Sequence, residues 1–146
     1  MSDAYGSIEE CFVDIPEPEV PTVNDFDYYI QRGLACRGQG DVAAAIASFS
    51  TAIKLNPKSP FGYYHRAFTY DGESLTERAI DDYSLAIDRD PLLAMAYGSR
   101  GIASYSQKLY REAASDLNYF LELMPDSLDA QYVRAAIVLA DLEINE

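Results

Sequence analysis

The sequence predicts an all-α solenoid, with three stacked helical hairpins followed by a single capping helix. Three observations predict it. The chain repeats itself every 34 residues, so that Arg32, Arg66, Arg100 and Arg134 are equally spaced, as are Gly33, Ala67, Gly101 and Ala135. Ala45, Ala79 and Ala113 keep the same register, and so do Pro57, Pro91 and Pro125. Between the prolines, apolar residues recur at helical spacing. A period of this length marks a solenoid. Each unit is a hairpin that cannot bury its own apolar face and does so by stacking on its neighbours.

The expected organisation is an acidic tail over 1–25 and a repeat domain over 26–146. The repeats run 26–59, 60–93 and 94–127, with the capping helix at 128–142. Pro16, Pro18 and Pro21 remove donors and fix φ, so this part of the tail reads as extended. Ile8, Cys11, Phe12, Val13 and Ile15 form an apolar patch beside it. Two readings stay open for the tail. It is disordered, or Phe12, Val13, Ile15, Pro16 and Pro18 lie on the repeat body as an autoinhibitory cover. Asn24 or Asp25 is the expected cap of the first helix.

Phe26–Gly38 reads as that helix, with Phe26, Tyr29, Ile30, Gly33, Leu34 and Cys36 forming a wide apolar stripe. Gly40 supplies a positive φ in the turn, and Asp41 caps the second helix, Val42–Leu55. Asn56-Pro57 stops it. The second hairpin reads as Phe61–Asp71 and Thr76–Asp88, with Pro60 at the helix start. The third reads as Leu93–Ser106 and Tyr110–Leu123. Neither later turn has glycine where Gly40 stands. Asp126 or Ser127 is the expected cap of a seventh helix, and its Val133, Ile137, Val138 and Leu142 are unusually apolar. They predict a surface for a homodimer.

Composition narrows the function. The formal net charge is −13, which repels phosphate backbones and argues against nucleic acid and anionic membrane surfaces. Residues 1–25 carry seven acids and no Lys or Arg, so the repeat body is only mildly acidic. No apolar run reaches the length of a membrane span, and the N-terminus lacks a cationic, apolar signal segment. Two cysteines, Cys11 and Cys36, make no framework and read as free thiols of a reducing compartment. The expected location is the cytoplasm. The single His65 has no evident nucleophile or orienting partner, and one His with two distant Cys does not make a metal site. There is no glycine-rich phosphate loop. We expect no enzyme activity, no metal and no cofactor.

The repeated residues resemble the tetratricopeptide repeat. The match is Tyr29, Gly33, Ala45, Phe49, Ala52 and Pro57 in the first unit. In the second it is Tyr63, Ala67, Tyr70, Ala79, Tyr83, Ala86 and Pro91, and in the third Tyr97, Gly101, Ala113, Leu117 and Pro125. Phe120 departs from the family's alanine, and a shift of the last helix is the expected compensation. The resemblance implies a right-handed superhelix whose first helices line a groove that binds proteins or peptides. Carried over by position, the groove set is Ile30, Leu34, Arg37, Tyr64, Phe68, Asp71, Met95, Ile102, Tyr105 and Tyr132, with Asp27, Phe61, Gly98 and Ala136 alongside. Tyr64, Phe68, Tyr105 and Tyr132 are the expected anchors, and Arg37 and Asp71 the edge. This groove suits an extended segment presenting Val, Leu, Phe or Pro.

One subtype of the family clamps the acidic C-terminus of chaperones through Lys, Asn and Arg. The corresponding places here hold Ile30, Leu34, His65, Met95 and Ser99, which do not supply that cationic set. A second comparison, in repeat number, acidity and groove character, is with the small chaperones of type III secretion, which bind apolar segments of translocator proteins. Three readings therefore stand: a peptide-binding scaffold, a self-associating structural module, and a secretion-type chaperone. The arginine at one position per unit reads as structural, each reaching an acid among Asp81, Asp82 and Asp116.

Overall fold

The computed structural model describes residues 16–146, of which 23–25 form one 3-10 turn and the rest of the regular structure is helix. The helices are α1 (Phe26–Gly38), α2 (Val42–Leu55), α3 (Pro60–Gly72), α4 (Thr76–Arg89), α5 (Ala94–Ser106), α6 (Tyr110–Leu123) and α7 (Ala130–Ile144). α1 packs on α2, α3 on α4 and α5 on α6, and each hairpin meets the next. The odd-numbered helices also touch one another in sequence, α1 to α3, α3 to α5 and α5 to α7. That adjacency gives the stack one common inner face.

The starts of the helices follow local chemistry. Thr22 and Asp25 form a reciprocal cap ahead of α1: the Thr22 N–H donates to Asp25 Oδ2 at 2.7 Å, and the Asn24 N–H donates to Thr22 Oγ1 at 3.3 Å. The expected cap at Asn24 or Asp25 thus belongs to the 3-10 turn, since Asp25 makes no side-chain cap to α1 itself. Asp41 accepts from the Ala44 N–H at 3.0 Å. Ser59 accepts from the Phe61 N–H at 3.3 Å, with Pro60 in the first turn of α3. α7 starts later than expected. Neither Asp126 nor Ser127 caps it, and Leu128 stays in the preceding turn, where it is almost fully exposed.

Gly40 has φ +82°, as its turn requires. One repeat and two repeats later, Ser74 (φ 59°) and Lys108 (φ 62°) hold the same left-handed conformation without being glycine. Leu75 and Leu109 follow where Asp41 stands, and neither can cap. Each left-handed non-glycine residue costs roughly 1 kcal/mol, and a missing cap about another 1 kcal/mol. Copying the first turn into the third, as Lys108→Gly with Leu109→Asp, is expected to add about 1–2 kcal/mol of stability. A higher urea midpoint with an unchanged slope checks it.

Close approach of the helices rests on small residues. A Cβ at Gly33 would clash with the Phe49 ring, and one at Gly101 would lie 2.8 Å from Leu117 Cδ2. Ala45, Phe49, Ala52, Ala67, Ala79, Tyr83, Ala86, Ala113 and Leu117 are fully buried between them. Phe120 is buried too, and the compensation differs from the expected helix shift. A Cβ at Gly98 would sit 3.0 Å from the Phe120 ring, so the missing side chain at Gly98 admits the large one.

The arginines tie the stack together. Arg66 donates from Nε and Nη2 to Asp82 at 2.6 and 2.8 Å, and from Nη1 to Ser50 Oγ at 3.1 Å. Arg100 repeats this with Asp116 (2.7 and 2.8 Å) and Ser84 (3.0 Å). In the first unit Arg32 donates to Ser48 at 2.7 Å, and Arg134 donates to the Pro125 carbonyl at 3.1 Å. Of the acids expected to serve, Asp82 and Asp116 do so, while Asp81 is solvent-exposed.

The cysteine reading needs correction. Cys36 is fully buried and disulfide-bonded, and among the described residues no cysteine is free. Cys11, the chain's other cysteine, lies outside the described residues. Two cysteines without a framework read as free thiols, but so small a number does not prevent a single bond. The argument for a reducing compartment therefore loses its support. Among the described residues no helix is long and apolar enough to cross a membrane.

Candidate functional site

The inner face gathers large apolar side chains that packing leaves uncovered. Phe68 is 48% exposed, Met95 42%, Ile102 49% and Tyr132 69%. They lie on α3, α5 and α7, at positions rotated by about one residue from those facing the even-numbered helices. Together with Asp71, Tyr83, Gly98, Ser99, Phe120, Asp129 and Val133 they line a cavity of about 330 Å³. Ligand pockets of this kind are mostly apolar with a few convergent polar groups. A second hollow, of about 570 Å³, lies between α1 and α3 and is lined by Leu34, Arg37, Val42, Phe68, Thr69 and Glu73, among others. Phe68 borders both.

The polar groups of this face are unusual in their pairing. The Arg37 guanidinium lies 4.8 Å above the centre of the Phe68 ring and 6.0 Å from that of Phe49, and its buried Nη1 has no hydrogen-bond partner. His65 stacks on Phe49 with ring centres 5.5 Å apart. Burial, and the Arg37 charge after it, lower its pKa to about 4, so the ring is neutral at pH 7, and its buried Nδ1 is unpartnered. Burial raises the Asp71 carboxyl above the usual range. Tyr83 is fully buried at the cavity, and burial with the nearby Asp71 pushes its phenol well up. Ser99 is close enough to pull the phenol back slightly, yet the Tyr83 hydroxyl completes no hydrogen bond of good geometry.

The residues expected in the groove do not all meet at one place. Phe68, Asp71, Met95, Ile102 and Tyr132 meet at the first cavity, and Leu34, Arg37 and Phe68 at the second. Ile30 is buried in the first core cluster. Tyr64 and Tyr105 line neither cavity. Tyr64 packs into the core, 5.9 Å from Tyr83 and 5.3 Å from His65, and Tyr105 stands edge-on to Tyr110 at 5.3 Å. Sequence reasoning missed Tyr83, Ser99, Phe120, Asp129 and Val133. Tyr83 and Phe120 belong to α4 and α6, whose repeat positions point to hairpin packing. They reach the cavity because alanine and glycine opposite them bring the helices close.

Of the seventh-helix residues, Val133 and Ile137 pack against the α6 cluster, while Val138 and Leu142 are exposed. Of the tail, Phe12, Val13 and Ile15 lie outside the described residues. Between Pro16 and Pro18, Glu17 accepts from the Tyr29 hydroxyl at 3.2 Å.

Helical hairpins in 34-residue register, with small residues at every close approach, are matched by known proteins. Residues 33–71 fit the family model described as TPR repeat. Over that span the chain carries a tetratricopeptide repeat. It is 34% identical over 87 residues to the small glutamine-rich tetratricopeptide repeat-containing protein 2 of Mycosarcoma maydis, a match spanning 60% of this chain and 25% of that protein. It thus covers about a quarter of that relative's length. In shape it resembles the first TPR domain of Spaghetti (RPAP3) bound to the HSP90 peptide SRMEEVD, with a TM-score of 0.78 and 21% identity over 86% of this chain and all of that one. The type III secretion translocator chaperone SycD of Yersinia enterocolitica gives a TM-score of 0.78 at 13% identity, covering 87% and 90% of the two chains. Both likenesses are of fold.

Proposed function

We propose that this tetratricopeptide-repeat chain is a scaffold that binds an extended segment of a partner protein along the inner face of α3, α5 and α7. The observation that carries the reading is the 330 Å³ cavity, walled by Phe68, Met95, Ile102 and Tyr132 on three successive helices. An exposed apolar hollow of this kind is unfavourable in water and gains from a guest that covers it. A guest laid across three helices presents successive side chains to successive walls. That a structural neighbour is named as bound to an HSP90 peptide supports peptide binding as the use of the fold. A small-chaperone role for apolar segments of partner proteins would use the same walls.

The test is selection from a displayed peptide library. The wild-type chain is expected to enrich a common apolar motif. The Phe68→Ser, Tyr132→Ser chain, altered at exposed positions, is expected to enrich none, since anchors of this class contribute about 2 kcal/mol or more each. Undiminished enrichment by a folded double variant overturns the reading.

A second reading is favoured by α7. Leu128, Tyr132, Leu139 and Leu142 recur at intervals of four, seven and three along it and its preceding turn, and all are exposed, as is Val138. Such spacing is that of a helix-pairing seam. A homodimer is therefore expected through Leu139, Leu142 and Val138, with Val133 and Ile137 committed to α6. Sedimentation from micromolar to millimolar concentration, for wild type and for Leu139→Lys with Leu142→Glu, decides it. A monomer throughout removes the dimer and leaves the peptide-binding reading standing.

A further inference from the structure

We infer that the segment bound at the α3–α5–α7 cavity is basic as well as apolar, carrying a lysine or arginine beside its apolar anchor. The inference rests on the peptide-binding reading and adds the charge of the guest. Two carboxylates, Asp71 and Asp129, line the cavity. Among the described residues the ion pairs are Arg66–Asp82 and Arg100–Asp116, so neither lining carboxylate has a cation of its own. Asp71 is half-buried, and burial already disfavours its charged form. A cation placed beside it favours the charged form that burial opposes.

The side chains that would welcome an acidic guest are missing from this wall. Arg37 is held over the Phe68 and Phe49 rings. His65 is neutral at pH 7. Met95, Ser99 and Ile102, which face the cavity from α5, carry no charge. The chain as a whole has a formal net charge of −13 and repels acids at long range.

A second, independent feature points to an extended guest. Tyr83 is fully buried and borders the cavity, and its hydroxyl, with Ser99 beside it, completes no hydrogen bond of good geometry. A buried hydroxyl left without a partner is costly. The carbonyl of an extended backbone lying over Phe120 and Gly98 accepts from that hydroxyl and removes the cost. The three parts then divide the work. Phe68, Met95, Ile102 and Tyr132 hold the apolar side chain, Tyr83 holds the backbone, and Asp71 with Asp129 selects the neighbouring charge.

The test uses three labelled peptides with one apolar core, Leu-Val-Phe, flanked by lysine, by glutamine or by glutamate, and reads fluorescence anisotropy on the full chain. The lysine peptide is expected to bind about tenfold more tightly than the glutamine peptide at low salt, with the glutamate peptide weakest. The lysine-over-glutamine ratio is expected to narrow in about 0.5 M salt. It is expected to fall to about one in Asp71→Asn with Asp129→Asn. Glu112→Gln with Glu122→Gln removes the same charge outside the cavity lining and is expected to keep the ratio. Equal binding of lysine and glutamine peptides to wild type overturns the charge assignment and leaves the groove intact. A ratio that survives the Asp71, Asp129 change traces the preference to the overall charge and overturns it as well. No binding of any of the three overturns both the inference and the groove.

Discussion

Replacing Arg66 with alanine is expected to remove about 3–4 kcal/mol of folding stability at pH 7. Native domains of this size hold only about 5–15 kcal/mol, so at least about a fifth of the total is at stake. The effect is large because of what stays behind. Asp82 is 4% exposed, and both its oxygens accept from the Arg66 guanidinium. Without the arginine, a carboxylate sits in the interior with neither water nor a cation. Ser50, across the junction to the first hairpin, loses its donor too. The sign differs when both charges go. Arg66→Met with Asp82→Leu removes the desolvation penalty together with the attraction, and stability is expected to return to within about 1 kcal/mol of wild type. Urea unfolding of the three chains measures this directly. A loss below about 1 kcal/mol for Arg66→Ala would place the pair among ordinary surface bridges.

Phe49→Ala is expected to cost about 3–5 kcal/mol, the usual range for deleting a buried aromatic ring. The ring is fully buried, fills the space that Gly33 leaves open, and stacks on His65. It therefore has a second readout. The sequence contains one histidine, so its titration is unambiguous by NMR. Burial and Arg37 hold His65 near 4 in the folded chain. The unfolded chain takes up this proton near 6.5. Wild type consequently keeps the full contribution of the neutral ring above about pH 6.5 and loses it as pH falls toward 4. Opening the Phe49 site lets water reach the imidazole, so its pKa is expected to rise toward 6.5 and that part of the acid sensitivity to shrink. Phe49→Leu, a gentler change, keeps the titration measurable if the alanine variant is too unstable. An unmoved His65 pKa in either variant would show that Phe49 does not shield it.

Much of the architecture was legible because the repeat leaves no insertion to misplace. α1, α2 and α6 have the bounds read from periodicity, and Gly40 takes the positive φ its turn demands. The later turns keep that conformation with Ser74 and Lys108, residues that carry no signal for it. The arginine partners were legible to within one residue: Asp81 and Asp82 are adjacent, and only the helix face separates them. The same rotation limits the groove. Phe68, Met95 and Ile102 lie clearly on the inner face, but Tyr64 is turned far enough to pack on Tyr83. Asp129 joins the cavity from the turn before α7, although its position falls within the helix expected at 128–142. The state of Cys36 is not encoded in the number and setting of the cysteines.

The arginine bonds also set where the molecule can bend. Within the second and third hairpins the link is two short charged bonds, whereas Arg66–Ser50 and Arg100–Ser84 each cross a junction with one neutral acceptor. The stack is accordingly a set of stiff blocks on softer hinges. Flexing at those hinges opens and narrows the space between the odd-numbered helices. A guest touching α3, α5 and α7 together acts as a splint across the Arg100–Ser84 junction, and it is expected to quiet the curvature of that half of the rod rather than any single helix.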